Sequence, residues 1–201
     1  MKETEEQPPK FEEPSPAGTY TARDYLSWKS EELMELIRGK IHKMSPAPTS
    51  GHQRVVRTLI VTLDRFFSNR CEIFPSPFDV YLIRPGENWR ATKNILQPDL
   101  CVICDPDKII PEGCIGAPDL VVEILSPSTA KKDIGKKRDL YEEYGVKELW
   151  LVHPSEGTVL IHVLENGAYR LLPVLVKGQV LQSVAFPDLS FNLDEVFPEN
   201  D

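Results

Sequence analysis

Two carboxylates near a predicted buried strand are the first residues of this sequence that could do chemistry. The stretch Ala117–Thr129 reads APDLVVEILSPST, and its apolar run is typical of a strand that is covered on both faces. Glu123 lies in the middle of that run, where an unpaired carboxylate is costly. We therefore predict that Glu123 is a metal ligand, although a salt bridge to Lys137 alone would also satisfy it.

Asp99 is the carboxylate that could join Glu123 at an ion. Asp119 would face the same side of the strand as Glu123, but roughly 13 Å would separate their Cα atoms. Asp99, in LQPDLCVI, begins a neighbouring predicted strand about 4.8 Å away. Carboxylate oxygens suit Mg²⁺, so we expect Asp99 and Glu123 to hold one Mg²⁺ or Mn²⁺.

Two alternatives to these roles stay open. Asp99 follows Pro98 and could merely cap a turn. Asp119 is interpreted as a structural residue at the strand entrance, and the alternative is a place near the ion or in a dimer interface.

A basic helix is predicted directly after the strand that contains Glu123. A cation beside a metal site can stabilise the charge that develops on a phosphate or help to deprotonate water. One lysine of the helix could reach back over the end of the strand. The candidates are Lys131, Lys132, Lys136 and Lys137, together with Arg138.

The elements that must position these residues alternate between strands and helices. Hydrophobic periodicity predicts helices over Thr19–Trp28 with Thr21 as N-cap, over Thr49–Asn69, and over Asp133–Tyr144 with Gly145 at its end. ELIRGKIHKM mixes signals, and we favour a hairpin over Glu35–Met44. The strand-like runs are CEIFPS, DVYLIRP, NILQPDLCVICD, APDLVVEILS, KELWLVHP and a hairpin around Asn166-Gly167. We expect one mixed sheet in which successive strands lie side by side, with a helix on each side and a β-rich C-terminal part.

Composition limits the class of protein. The 201 residues are 41% hydrophobic and 27% charged, which suits a single globular domain over 19–201 behind a disordered tail rich in Glu and Pro over 1–18. A net charge of -8 argues against a protein that coats nucleic acid through overall charge. No leader or membrane-spanning run is visible, so we expect a cytoplasmic protein without a membrane partner.

The four cysteines include one C-x-x-C, at Cys101 and Cys104. A zinc or redox site would need a second ligand pair or a strand-to-helix turn, and neither is visible. The two side chains would also point to opposite faces of a strand. Buried free thiols are therefore preferred to a metal or redox site.

Five motifs in order resemble the Uma-type family of restriction endonucleases, within the PD-(D/E)XK nuclease superfamily. They are ELIRGKIHKMSPAPTSGH, QPDLCVI, GAPDLVVEILSPSTAKKD, KKRDLY and YGVKELWLVHP, and they run from about Tyr20 to Pro154. The resemblance implies an α/β (α+β) restriction-endonuclease-like core. It also implies Mg²⁺-dependent hydrolysis of nucleic acid, with DNA as the expected partner.

The resemblance also implies roles for individual residues. Asp99 and Glu123 match the metal ligands, and Glu35 matches an acidic catalytic residue of the early segment. The superfamily places lysine two residues after the glutamate, where this sequence has Leu125. In the Uma-type pattern D-x-x-x-K-x-x-x-Y a helical lysine replaces it, which here is Lys137, with Lys136 as its rival. Lys137 could also be one more solvated charge on a helix face.

Two histidines stay open in function. His52 could either make a capping contact at the start of its helix or line the site. His153 stands where the family usually has an acidic residue, and we interpret it as a strand-end residue that is bonded to a loop, rather than as a ligand.

Three functions are consistent with the sequence. The first is a metal-dependent endonuclease acting on DNA, with Glu35, Asp99, Glu123 and Lys137 as its catalytic residues. The second is a catalytically degenerate nuclease fold that binds nucleic acid or protein, which the Leu125 departure and the net charge favour. The third is a self-assembling structural protein, which rests on the apolar C-terminal part. A homodimer is expected because of that same part.

Overall fold

A computed structural model of the protein describes residues 18–28, 32–44, 49–125 and 133–197. The predictions for the tail over 1–18, except for Gly18, and for Lys131 and Lys132 lie outside these residues. The helices are α1 (Ala22–Ser27), α2 (Ser50–Phe67) and α3 (Asp133–Tyr144). The strands are β1 (Met34–Ile37), β2 (Lys40–Lys43), β3 (Glu72–Pro75), β4 (Val80–Tyr81), β5 (Ile95–Leu96), β6 (Leu100–Ile103), β7 (Ile109–Ile110), β8 (Gly113–Ile115), β9 (Leu120–Ile124), β10 (Glu148–His153), β11 (Thr158–Glu165), β12 (Ala168–Leu171), β13 (Leu175–Val176), β14 (Val180–Gln182) and β15 (Ser190–Asn192).

These strands form two larger sheets, whereas the sequence had predicted one. Sheet I has the order β12-β11-β10-β9-β6-β3, with β13 against β11, and sheet II has the order β2-β1-β5-β4-β8-β7. The expectation that successive strands lie side by side was wrong, because β3 pairs with β6 while β4 belongs to sheet II. Pro75 and Pro77 lack the N–H that a ladder needs, and the chain leaves sheet I there. The mixed α/β class itself is confirmed.

The two longest helices cover opposite faces of sheet I. Apolar side chains of α2, among them Val55, Leu59 and Leu63, pack with Leu100 and Val122 in one core. On the other face, α3 contributes side chains to a second core that also includes residues of sheet II, among them Val80 and Cys114. The segment β9-α3-β10 is the predicted crossover, and β9 and β10 are parallel. The prediction of a helix on each side is confirmed.

The β1–β2 hairpin brings an acidic residue to the edge between the two sheets. Its register pairs Glu35 with His42 and Ile37 with Lys40, as the hairpin prediction required. The turn between the strands contains Arg38 and Gly39, both with positive φ. A side chain at Gly39 would also meet the Thr19 side chain, since a Cβ there would lie 2.7 Å from Thr19 Cγ2.

The cysteines differ in part from the prediction. Cys71 and Cys104 form a disulfide, so the expectation of free thiols was wrong for this pair. Antiparallel pairing of Glu72 with Ile103 places the two cysteines side by side at the strand ends, which the sequence spacing of 33 residues does not indicate. Cys101 and Cys114 are buried free thiols, as predicted. Across the described ranges, helix length and hydropathy reveal no candidate membrane span.

Candidate functional site

The register of sheet I brings Asp99 and Glu123 together. β6 and β9 are antiparallel with Leu100 opposite Val122, so the next pair along is Asp99 and Glu123. Directly opposed residues have Cα atoms about 4.5–5.5 Å apart. Asp99 Oδ2 also accepts a hydrogen bond of 2.6 Å from the backbone N–H of Ile124. The two carboxyl groups therefore lie at the same end of the β6–β9 pair and line one cleft.

Glu123 is buried but has protein partners. The Tyr141 hydroxyl donates a hydrogen bond of 2.7 Å to Glu123 Oε1, and Lys137 Nζ lies 3.2 Å from the same oxygen. Burial raises the pKa of Glu123 to about 7, Lys137 opposes that rise, and the negative charges of Asp99 and Glu35 add to it. An additional cation would therefore stabilise the ionised form of Glu123 beside these two carboxylates.

Lys137 joins two carboxylates that come from different sheets. Its Nζ lies 2.7 Å from Glu35 Oε1 and 3.2 Å from Glu123 Oε1, and its side chain is 11% exposed. Burial alone would lower the pKa of Lys137, but Glu123 and Glu35 raise it above its ordinary value. Lys137 is therefore an ammonium in this arrangement. Lys136, its rival, is exposed on the helix and does not line the cleft.

Glu35 comes from the hairpin of sheet II and is held by the chain just before Asp99. The backbone N–H of Gln97 donates a hydrogen bond of 2.8 Å to Glu35 Oε1, and Glu35 is buried. The sequence-predicted residues Glu35, Asp99, Glu123 and Lys137 are thus brought to one place by β1, β6, β9 and α3.

His52 fits both of the alternatives that the sequence left open. Its backbone N–H donates to Thr49 Oγ1 at 3.3 Å, which is the capping contact at the start of α2. Its side chain lies in the site, with Nε2 3.2 Å from Asp99 Oδ1. His52 Nδ1 is buried and has no hydrogen-bond partner among the described residues.

Two positions outside the candidate set lie elsewhere. Asp119 bonds Lys147 Nζ at 2.6 Å and the backbone N–H of Cys104 at 2.9 Å, which agrees with a structural role at the strand entrance. His153 ends β10, where its backbone carbonyl accepts from Glu156, and it does not line the cleft.

Two residues that support the site were missed as site residues in the sequence. Tyr141 is the tyrosine of the pattern D-x-x-x-K-x-x-x-Y, and its spacing of four from Lys137 places both on one helix face, but no role in the site was predicted for it. Gln97 precedes Pro98-Asp99, but its partners come from distant segments. Gln97 Nε2 donates to Asp79 Oδ1 at 2.7 Å, and the Tyr25 hydroxyl lies 3.1 Å from the same atom.

The four candidate residues open onto a cleft of about 360 Å³. Its walls also include polar residues of β2, of α2 and of the N-cap of α2, namely His42, Lys43, Thr49, His52 and Gln53. A second hollow of about 500 Å³, lined by Arg38, Asn88, Lys93 and Tyr144 among others, contains none of the candidate carboxylates. The chemistry suggested by the sequence therefore belongs to the first cleft.

The metal-ligand chemistry of the cleft is limited to a few oxygens. Over the ranges that the structure covers, no three side chains of His, Cys, Asp or Glu converge as a metal cluster. Mg²⁺ commonly keeps several waters and takes only one or two carboxylates plus substrate phosphate. Asp99 and Glu123 fit that mode of binding, and they do not fit a site built from protein ligands alone.

Comparisons with known proteins give a matching family, a relative and a similar fold. Residues 22–194 match the family model Uma2, described as "Putative restriction endonuclease". An uncharacterized protein of Synechocystis sp. is 27% identical over 188 residues, which span 91% of this chain and 94% of that protein. A crystal structure from Anabaena variabilis, described as a putative nuclease belonging to DUF820, has a TM-score of 0.69 and 19% identity and covers 89% of this chain and 97% of its own. At that identity the likeness shows the fold.

Proposed function

Because this chain belongs to the Uma2 family, we propose that it is a Mg²⁺- or Mn²⁺-dependent endonuclease that hydrolyses DNA phosphodiester bonds. The observation that carries the proposal is the position of Asp99 directly opposite Glu123, with Lys137 in contact with Glu123. Two acidic oxygen donors and one ammonium in a cleft are the groups that phosphodiester hydrolysis needs.

Asp99 and Glu123 would hold the divalent ion in this proposal. Their carboxylates come from adjacent strands, and the negative charge of Asp99 acts on Glu123. The chemistry that such an ion supplies when bound is polarisation of a phosphoryl oxygen and acidification of a water molecule. His52 and the backbone N–H of Ile124 each hold one oxygen of Asp99, which fixes the orientation of that carboxylate.

Lys137 acts as a cation in this proposal. Its raised pKa keeps Nζ protonated, so Lys137 donates hydrogen bonds to a phosphoryl oxygen or orients a water and does not abstract a proton. Glu35 holds the ammonium from the opposite side at 2.7 Å, and Tyr141 holds Glu123. The helical lysine thereby replaces the lysine that the superfamily places at the position of Leu125.

Plasmid cleavage tests the proposal. Supercoiled DNA is incubated with the wild type and with Asp99→Asn, Glu123→Gln and Lys137→Met, in Mg²⁺, in Mn²⁺ or in EDTA. We expect metal-dependent nicking that falls by about 10²–10³-fold in each of the three variants. Lys136→Met is the matched control, because it removes the same charge from an exposed neighbour.

Three results would contradict this assignment. They are nicking that persists in EDTA, an equal loss in Lys136→Met, and undiminished nicking in Asp99→Asn. Calorimetric titration with Mg²⁺ gives a readout besides activity, and unaltered binding heat in Asp99→Asn would refute the ligand assignment. Circular dichroism of each variant separates lost chemistry from lost folding.

A catalytically degenerate binding module is the second candidate. It is favoured by the lack of a three-ligand metal cluster within the described ranges and by the buried ion pairs that already engage Lys137. DNA binding without nicking in any metal, unchanged in Asp99→Asn, would establish this candidate in place of the endonuclease.

A further inference from the structure

The exposed face of α2 carries two arginines near the cleft. Arg54 and Arg57 are both exposed, and no acidic residue precedes Asp64 in the helix. In an i,i+3 or i,i+4 arrangement a carboxylate on the helix itself would neutralise them. None is present there, so the first half of α2 presents net positive charge to solvent.

These two arginines differ from most exposed arginines of the molecule. Within residues 18–28, 32–44, 49–125 and 133–197, neither Arg54 nor Arg57 pairs with a carboxylate. By contrast, salt bridges join five other arginines to acidic residues, in the pairs Arg38–Glu143, Arg84–Glu143, Arg90–Glu112, Arg138–Asp139 and Arg170–Glu165. The charges of Arg54 and Arg57 are therefore available to an external anion.

The position of the two arginines relative to the site follows from the helix. His52 reaches Asp99 at 3.2 Å, and the next residue, Gln53, lines the cleft. Arg54 is adjacent to Gln53, and Arg57 lies four residues after it, which is about one turn or 5.4 Å along the same side of the helix. Arg57 therefore lies on the Gln53 side of the helix, beside the cleft, and Arg54 lies about 100° farther round from Gln53 towards solvent.

A polyanion needs such a local contact on this protein. The chain carries a net charge of -8, and three of its acidic residues, Glu35, Asp99 and Glu123, line the cleft. Arginine binds phosphate through two parallel hydrogen bonds. Contacts with the sugar-phosphate backbone of DNA position a duplex without reading its sequence. A flanking phosphate can thus be held at the rim while the scissile phosphate meets the carboxylates.

We propose that Arg54 and Arg57, here named the arginine ridge, bind the phosphate backbone of the DNA strand beside the scissile bond. This inference rests on the proposed function and specifies the surface through which the substrate is held. The ridge supplies affinity that depends on salt and not on sequence. It takes no part in the chemical step.

DNA binding measured against salt tests the ridge. Fluorescence anisotropy of a labelled duplex is recorded in Ca²⁺ over a series of salt concentrations, for the wild type and for Arg54→Gln/Arg57→Gln. We expect the double variant to bind more weakly and to lose about two units from the slope of log K against log salt, roughly one per lost phosphate contact. Arg65→Gln is the matched control, because Arg65 is exposed on the same helix about 12 Å farther along.

The outcomes separate the ridge from the hydrolysis. An unchanged slope in the double variant, an equal change in Arg65→Gln, or no duplex binding by the wild type at low salt would each overturn the ridge. Plasmid nicking is measured in parallel. DNA binding that depends on the ridge, without nicking, would refute the endonuclease and retain the ridge. Nicking by the wild type, with unchanged DNA binding in the double variant, would refute the ridge and retain the endonuclease.

Discussion

At the scale of single residues, the site is a balance between buried charges. Lys137 is the shared partner of Glu35 and Glu123, which come from different sheets. Removal of one partner from a buried ion pair costs more than the pair itself contributes, because a charge is left without compensation. The stability of this region should therefore depend on a cation between the carboxylates.

Lys137→Met should lower the free energy of unfolding by about 3–5 kcal/mol, the range for a broken buried pair. Added Mg²⁺ should stabilise this variant more than the wild type, because a divalent ion can compensate for the lost ammonium. Urea denaturation with and without Mg²⁺ measures both effects. Lys136→Met, which removes an exposed charge, should stay within about 0.5 kcal/mol of the wild type. Equal effects of the two variants would contradict the structural role of Lys137.

Tyr141→Phe should affect catalysis through Glu123. The hydroxyl donates at 2.7 Å to Glu123 Oε1, and loss of a group that orients a metal ligand typically costs 10–100-fold in activity or metal affinity. We expect plasmid nicking to fall by about tenfold or more while duplex affinity in Ca²⁺ stays the same. A parallel loss of DNA affinity would show that Tyr141 acts on binding and not on Glu123.

The sequence indicates the acidic residues of the site better than their supporting partners. A carboxylate inside an apolar strand is visible as a costly exception, and this made Glu123 a candidate. Gln97, Asp79 and Tyr25 contact one another only because distant segments meet. No local pattern marks such a group, since each residue is an ordinary polar side chain in its own segment.

At the scale of elements, boundaries were easier to predict than partners. The predicted helix Asp133–Tyr144 agrees with α3, and the Asn166-Gly167 turn joins β11 to β12. The division into two sheets was not predicted, because alternating apolar residues favour a strand without specifying its neighbour. The pairing of β6 with β9, which positions Asp99, was anticipated from their order along the chain.

The β11–β12 hairpin should make stability depend on pH through His162. Burial lowers the pKa of His162, and Arg138 lowers it further. The unfolded chain then binds more protons than the folded chain at pH values between the lowered pKa and about 6.5. The contribution of His162 to the free energy of unfolding therefore falls as pH decreases through this window, whereas the raised pKa of Glu123 acts in the opposite direction.

His162→Phe should reduce that loss of stability, because phenylalanine keeps a ring against Tyr169 but does not titrate. Urea denaturation at about pH 7.5 and about pH 5.5 gives the change in the free energy of unfolding for each protein, and the change towards pH 5.5 should be less destabilising in the variant. His42→Phe, which alters a less buried histidine of β2, serves as the comparison. Equal pH dependence in the wild type and His162→Phe would show that His162 is not the group responsible.

At the scale of the whole molecule, charge and apolar surface lie in different regions. The cleft and the arginine ridge are formed by sheet edges, α2 and α3, whereas several exposed apolar side chains lie in the C-terminal part. These are Leu171, Val174, Val176, Val180 and Val184. Single exposed apolar residues are ordinary, but a group of them in one part of a chain suits a protein interface. The homodimer expected from the apolar, β-rich C-terminal part stays a prediction, and these side chains are its candidate surface.

Light scattering after size exclusion should give twice the chain mass of 22.8 kDa if this part joins two copies. Val176→Asp/Val180→Asp should shift the mass to that of one chain, because a buried carboxylate without a partner opposes association. Val61→Asp is the control, since Val61 is about as exposed but lies on α2. A monomeric wild type, or dissociation caused by Val61→Asp, would contradict this interface.

Retained nicking in a monomeric double variant would show that one chain contains all the groups that hydrolysis requires, as the convergence of Asp99, Glu123 and Lys137 within one chain leads us to expect.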